Sequence, residues 1–219
     1  MNIIDNLQWR YATKAFDSDK KIDEKTMSQV EDGLVLTASS FGLQPWNFII
    51  VKDQEIKKQL VPASYNQTQV ENCSHVVVFA AMKSINEEYI QNYINTIIKV
   101  RNINNIPSAE QKEEVMKRLA DYQQMMIGFL LKSGINVQSW AERQCYIALG
   151  NLLNIAAEFK IDSCPMEGII PAKYDEILGL TNTNYTTCLA CPLGYRNKDD
   201  AYATLKKVRF DKETVIFKK

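Results

Sequence analysis

The sequence predicts an α+β fold in one domain over residues 1–219, with more helix than strand. Three observations carry that reading. Apolar residues recur at helical spacing through most of the chain. Three short segments, 47–51, 74–82 and 186–193, are instead apolar without alternation, as strands covered by helices on both faces are. Neither a repeat nor a linker divides the chain. The composition agrees, since 46% hydrophobic and 24% charged residues suit a packed core and exclude a disordered or collagen-like chain.

Taken in order, residues 2–9 read as a short helix with Ile3, Ile4 and Leu7 on one face, ending at the basic cluster Arg10 to Lys14. Asp23 reads as the N-cap of a second helix reaching about Thr37, on which Met27, Val30 and Leu34 recur. A turn over 38–46 breaks it before the strand at 47–51, which an amphipathic helix over 54–60 and the strand at 74–82 follow. Between 87 and 101, Tyr89, Tyr93, Ile94, Ile97 and Val100 keep helical spacing, and Ser108 with Gln111 makes a capping-box start for a helix reaching about Leu131. From about 139 to 160 apolar side chains run almost all round, which predicts a central, buried helix. Residues 161–168 form a strand or loop, Pro171 opens a short helix, and 186–193 is the third buried strand. The tail from Leu205 reads as extended. With Val215, Ile216 and Phe217 apolar, it is predicted to be a strand whose partner is distant or belongs to another chain.

Lys plus Arg number 26 and Asp plus Glu number 26, so no basic field gathers nucleic acid or an acidic membrane. No apolar stretch reaches bilayer length, and residues 1–16 carry Asp5, Arg10 and Lys14 without the apolar run of a signal peptide. The five cysteines are odd in number and scattered through a chain too long to need disulfides, so a reduced, cytoplasmic protein is expected. Cys188 and Cys191 form a C-x-x-C, but strand positions three apart point to opposite faces and no second pair accompanies them. No metal centre is expected. His75, the single histidine, lacks a nucleophile partner, and neither G-x-G-x-x-G nor a P-loop occurs. What remains is a set of cations near the two ends of the chain, Arg10 and Lys14 at one and Lys206, Lys207 and Arg209 at the other. The turns at 39–42 and 167–168 add backbone N–H donors. A phosphate site is one reading of these residues, and a solvated basic face is the other.

Five motifs stand in order along nearly the whole chain: Arg10-Tyr11-Ala12-Thr13-Lys14-Ala15-Phe16, Ser39-Ser40-Phe41-Gly42-Leu43-Gln44-Pro45-Trp46, Ser74-His75-Val76-Val77-Val78-Phe79, Pro165-Met166-Glu167-Gly168 and Lys207-Val208-Arg209. Together they resemble the FMN-dependent nitroreductase family, and most closely its oxygen-insensitive NAD(P)H nitroreductase and dihydropteridine reductase branch. The resemblance implies a nitroreductase-like α+β fold with a mixed central β-sheet flanked by helices. It also implies an intertwined homodimer with the C-terminal segment exchanged and one FMN per subunit at the dimer interface. NAD(P)H is the implied co-substrate, and flat acceptors such as nitroaromatics and quinones receive the electrons in a ping-pong hydride cycle. A flavin or dihydropteridine reductase on the same scaffold is the alternative enzyme reading, and a catalytically silent flavin-binding protein is the alternative of another class.

Position by position, the resemblance implies that Arg10, Lys207 and Arg209 bind the FMN phosphate, with Tyr11 and Ala12 lining that end. Lys14 is the implied catalytic cation beside the N1 and C2 carbonyl edge of the ring. Pro165 lies on one ring face, Met166 belongs to the same motif, and the backbone N–H groups of Glu167 and Gly168 reach N5 and the C4 carbonyl. Asn66 and Gln69 belong to the pyrimidine edge, while Ala38, Ser39, Ser40, Gly42 and Gln144 come from the other subunit. The chain departs from the branch at three of these places: a serine is Ala12, an asparagine is Gly42 and a lysine aligns with Gln69. The missing lysine implies a lower flavin reduction potential. The segment 122–131, a lid over the substrate in this family, matches poorly, so the resemblance assigns no acceptor.

Overall fold

In the computed structural model, which describes residues 2–219, side-chain caps start most of the helices. Asn2 caps α1 (Ile3–Trp9), Asp23 caps α2 (Glu24–Val35) and Asp53 caps α3 (Gln54–Leu60), each accepting a backbone N–H of the first turn. β1 (Trp46–Val51) separates α2 from α3, and the single turn α4 (Gln69–Asn72) leads into β2 (His75–Met82). Asn86, Ser108 and Asn136 then cap α5 (Glu87–Val100), α6 (Ala109–Ile127) and α7 (Val137–Glu158), and a π turn at Gly128–Lys132 prolongs α6. β3 (Asp162–Ser163), α8 (Pro171–Ile177), β4 (Tyr185–Gly194) and the turn α9 (Lys212–Val215) complete the chain. No helix among the described residues is long and apolar enough to cross a membrane.

The strands form one sheet in the order β1-β2-β4-β3, with every neighbouring pair antiparallel. β2 is buried from end to end. Val77, Phe79 and Ala81 pack into the larger core with Val30, Leu34 and Leu152, whereas Val76 and Val78 pack into a smaller core with Leu60 and Tyr174. Two covered faces explain why this strand carries no polar alternation. Tyr174 is wholly buried, and its hydroxyl is satisfied by Ser64 Oγ at 2.7 Å. α2 lies so close to α7 that a Cβ at Gly33 would come within 2.5 Å of Ile155 Cδ1; the Asn151 side chain locks the pair by donating to Gly33 O and Thr37 Oγ1.

Four expectations change. The sheet within the chain is antiparallel rather than mixed, the parallel pairing among the described residues being the bridge between Ala12 and Ser163. The tail forms no strand: residues 204–219 are exposed, and 212–215 make a helical turn, because no sheet edge of the same chain reaches them. α7 is not covered all round, since Tyr146 is 42% and Ile147 49% exposed. Finally, Cys188 is the additional residue of a β-bulge opposite the step from Phe79 to Ala80, so Cys188 and Cys191 pack against the same core instead of opposite faces. All five cysteines are free thiols.

The two ends of the chain are held together by one carboxylate. Asp200 Oδ2 accepts from the backbone N–H of Lys14 (2.8 Å) and Ala15 (3.1 Å) and from the Tyr11 hydroxyl (3.0 Å), and its Oδ1 accepts from Tyr202 N–H (2.9 Å). Burial pushes this carboxyl's pKa up, but the hydrogen bonds outweigh burial and the net shift is downward. Removing an acceptor of several donors is costly. Asp200→Ala is therefore expected to lower unfolding free energy by roughly 1.5–3 kcal/mol, the range for hydrogen bonds to charged groups. A folded pKa below the unfolded value of about 3.9 means that this contribution is complete above that pH and fades as pH falls through the folded pKa. Urea titrations of both proteins should thus diverge at neutral pH and converge in acid. In the larger core, Leu152→Ala is expected to cost about 2–5 kcal/mol in the same assay.

Candidate functional site

The Asp200 contacts place the Arg10–Lys14 loop opposite the segment 202–209 across a cleft of about 450 Å³. Arg10, Tyr11, Ala12, Lys14, Lys206, Lys207 and Arg209 all line it. Cations separated by nearly the whole sequence thus share one opening. The Lys207 ammonium donates to the carbonyls of Leu7 (2.7 Å) and Arg10, which fixes the tail against the first helix. Arg10 Nε is buried with no hydrogen-bond partner, and among the described residues no carboxylate lies within ion-pairing distance of Arg10, Lys207 or Arg209. Burial lowers the Arg10 pKa and Arg209 adds to that; burial followed by Arg10 and Arg209 lowers Lys207. An anion entering the cleft relieves that repulsion and supplies the missing acceptor.

Residues outside the motifs position these cations. The Arg196 guanidinium lies between the rings of Trp9 (4.5 Å to the centroid) and Tyr11 (4.6 Å), and it is anchored by Asp162 at 2.6 Å. Burial, then the bond to Asp200, pushes the Tyr11 hydroxyl up to about 12, so Tyr11 remains a neutral donor. Tyr202 and Leu205 also line the cleft. Asp200, Arg196 and these wall residues belong to no sequence motif; the only sequence signal for Asp200 is its nearness to the basic tail.

The second part of the site is the turn at 165–168. Ala12 pairs with Ser163, Thr13 N–H donates to Ser163 O (3.2 Å), and Lys14 Nζ lies 3.9 Å from Cys164 Sγ, so the lysine sits beside the start of this turn. Burial raises the Cys164 thiol, with Lys14 acting against it. Pro165 is half-buried. Met166 is buried in the smaller core and exchanges backbone hydrogen bonds with Ala190. Glu167 and Gly168 are exposed, and among the described residues neither backbone N–H donates a hydrogen bond within the chain. The turn is held from both sides: Gln67 donates to Gly168 O (3.0 Å), and Tyr146 donates to the Glu167 carboxylate (2.6 Å). Gln67 brings Asn66, which has a left-handed backbone (φ 60°), next to the turn; Gln69 is buried at the start of α4 and does not line the cleft.

Residues 38–42 and Gln144 form a separate group. Ser40 N–H donates to Gln144 Oε1 (2.8 Å), and none of this group lines the cation cleft. The departures from the family pattern have local explanations here. Gly42 has φ +71°, and a Cβ there would lie 2.3 Å from the Tyr93 hydroxyl, so an asparagine would require this tyrosine to move. Ala12 turns its methyl toward the smaller core. Phe41 (φ 58°) packs against Phe129 and Tyr122, and Tyr122 donates to Phe41 O (2.8 Å), which joins segment 122–131 to this loop. Chemically, the cleft can take up a dianionic group, and Lys14 with two free amide donors can polarise whatever is attached to it.

Comparison with known proteins agrees with this fold. A Staphylococcus haemolyticus protein named "Putative NAD(P)H nitroreductase" is 32% identical over 222 residues, spanning 98% of this chain and 95% of the relative. The solved structure of a Bacillus subtilis protein titled as a nitroreductase aligns with a TM-score of 0.82 at 16% identity, covering 99% of this chain and 98% of that one. A second, from Exiguobacterium sibiricum and titled as a nitroreductase in complex with FMN, aligns with a TM-score of 0.79 at 21% identity over 100% and 98% of the two chains. Residues 7–195 match the model of the Nitroreductase family, and the chain belongs to that family.

Proposed function

We propose that this chain is an FMN-dependent oxidoreductase that passes electrons from NAD(P)H to flat acceptors such as nitroaromatics and quinones in a ping-pong cycle. The observation that carries the reading is the buried, unpartnered Nε of Arg10 in a cleft lined by Lys207 and Arg209, beside Lys14 and two free amide donors. This donor set fits a flavin mononucleotide. Arg10, Lys207 and Arg209 match its phosphate, which carries nearly two negative charges, and Tyr11 and Ala12 line the same end. Lys14 and the Glu167 and Gly168 N–H groups suit the polar edge of the ring, with Pro165 and Asn66 at its margins. When bound, FMN supplies the two-electron relay between NAD(P)H and the acceptor. The chain itself binds, orients and polarises. That role needs neither a nucleophile nor an acid of tuned pKa, which accords with the arrangement of side chains around the cleft.

The proposal includes a homodimer in which Ala38, Ser39, Ser40, Gly42 and Gln144 of one subunit complete the site of the other. Three exposed apolar groups support it: Ile3, Ile4 and Leu7 on α1, Tyr146 and Ile147 on α7, and Val208, Phe210 and Phe217 in the tail. Free thiols throughout suit a reducing, cytoplasmic setting.

Two measurements test the reading. Anaerobic addition of NADPH or NADH to the FMN-loaded protein is expected to bleach the flavin absorption, and double-reciprocal plots against acceptor are expected to be parallel; an unbleached flavin refutes the enzyme reading. Arg10→Ala is expected to weaken FMN binding roughly 10- to 100-fold, the equivalent of one charge-assisted hydrogen bond. For the dimer, sedimentation of Ile147→Glu should show monomers that retain little FMN, whereas a dimer of unchanged affinity would place the subunit contact elsewhere.

A further inference from the structure

A second cavity, of about 530 Å³, lies between residues 21–24, α3 and the start of β2, and it shares no residue with the cation cleft. Its floor holds two groups that the proposed redox chemistry does not use. Lys57 is only 1% exposed, yet no carboxylate lies within ion-pairing distance of it among the described residues. Its ammonium donates to Cys73 O (2.7 Å) and Ser74 O (3.4 Å), which leaves one of its three N–H bonds over. A buried charge without an ion-pair partner is costly; those two carbonyls are its hydrogen-bond acceptors, and the carboxylates of Glu71 and Asp53 act on it only from beyond ion-pairing distance.

His75 is 3% exposed, and its protonation pattern follows from its neighbours. Ser74 Oγ accepts the Ile22 N–H at 2.8 Å, so its own hydrogen is free to go to His75 Nδ1 at 2.9 Å. With the Ser74 hydroxyl donating to Nδ1, the neutral ring carries its hydrogen on Nε2; the charged ring carries one there in every case. Among the described residues Nε2–H has no hydrogen-bond partner, although the ring lines the cavity. Both groups are therefore donors facing space.

The charges around them select the sign of a ligand. Asp23 is committed to capping α2 through Thr26 N–H (2.9 Å) and Thr26 Oγ1 (2.7 Å), and Glu24 is paired with Lys52. The uncommitted charges that remain, Lys21 and Lys57, are both positive. We propose that this cavity binds a small oxyanion, a carboxylate or a phosphate, received by His75 Nε2–H and the Lys57 ammonium. The downward shifts of both groups agree: burial is the largest cause for each, and neighbouring lysines add to it. An anion in the cavity counters the repulsion from the lysines and favours the charged form of both groups.

This inference does not rest on the flavin reading. Because the chain has one histidine, its imidazole gives a single Cε1–H proton NMR signal, which reports on this cavity. At fixed pH and ionic strength, inorganic phosphate and acetate are titrated separately into the protein as purified, with chloride as control. The expected result is a saturable shift of the His75 resonance with phosphate, acetate or both, and the responding arm identifies the oxyanion class. In Lys57→Met the affinity is expected to fall roughly tenfold or more, as loss of a charge-assisted hydrogen bond implies. Calorimetry on His75→Phe, which removes the other donor, should show a comparable loss and covers the case in which Lys57→Met does not fold. A shift that chloride reproduces, or no saturable shift with either oxyanion, overturns the proposal. So does unchanged binding in the folded variants. Failure here leaves flavin reduction untouched, and failure of flavin reduction leaves this titration interpretable.

Discussion

The site depends on the Asp200 carboxylate more than on any of the cations it organises. By accepting from Lys14, Ala15, Tyr11 and Tyr202, it ties the loop after α1 to the turn that starts the tail. That tie works against repulsion, because the like charges of Arg10 and Lys207 in a partly dry cleft oppose their approach. The chain overcomes this repulsion with backbone acceptors: the carbonyls of Leu7 and Arg10 hold Lys207, while Arg196 stacked between Trp9 and Tyr11 fixes the loop from the other side. The result is a cleft already arranged for an anion, so little of the binding energy need go into assembling it.

The sheet provides the second fixed point. Pairing of Met166 with Ala190 holds the turn at 165–168 against the buried strand β4, and Ile170 N–H to Ala63 O ties its far side. Lys14 is brought to the same place because Ala12 and Thr13 pair with Ser163. The cations come from the chain termini and the amide donors from a turn beside the core, yet β3 and β4 set both. The His75 cavity stands at the start of β2 and uses neither the termini nor this turn. One sheet thus carries two separate groups of donors.

Much of this was legible because it is local. Helix starts follow from side chains such as Asp23 and Ser108, which cap within their own turn, and β2 reads as doubly covered because Val76 to Phe79 are apolar without alternation; every residue in it is buried. The motifs marked Arg10, Lys14, Glu167, Gly168, Lys207 and Arg209; the fold brings the four cations around one opening and sets Lys14 beside Cys164, at the start of the turn that carries Glu167 and Gly168. What was not legible depends on distant partners. Asp200 carries no motif, since three of its four donors, the Tyr11 hydroxyl and the N–H groups of Lys14 and Ala15, lie 185 or more positions away. The bulge at Cys188 is a property of pairing with β2 and leaves no trace in composition. Apolar residues around α7 were read as burial inside the chain, but Tyr146 and Ile147 stay exposed, and the same error of scale made a strand of the tail. A hydrophobic pattern says that a surface is to be covered, not by which chain.

The central claim is that the cleft recognises the phosphate of the flavin. The most direct test is the ratio of affinities for FMN and riboflavin, which share the ring and differ by that group. If Arg10, Lys207 and Arg209 receive the phosphate, FMN should bind at least roughly 100-fold more tightly than riboflavin at low salt, and the ratio should shrink as salt rises. Equal affinity for the two, independent of salt, would contradict the assignment of the cleft.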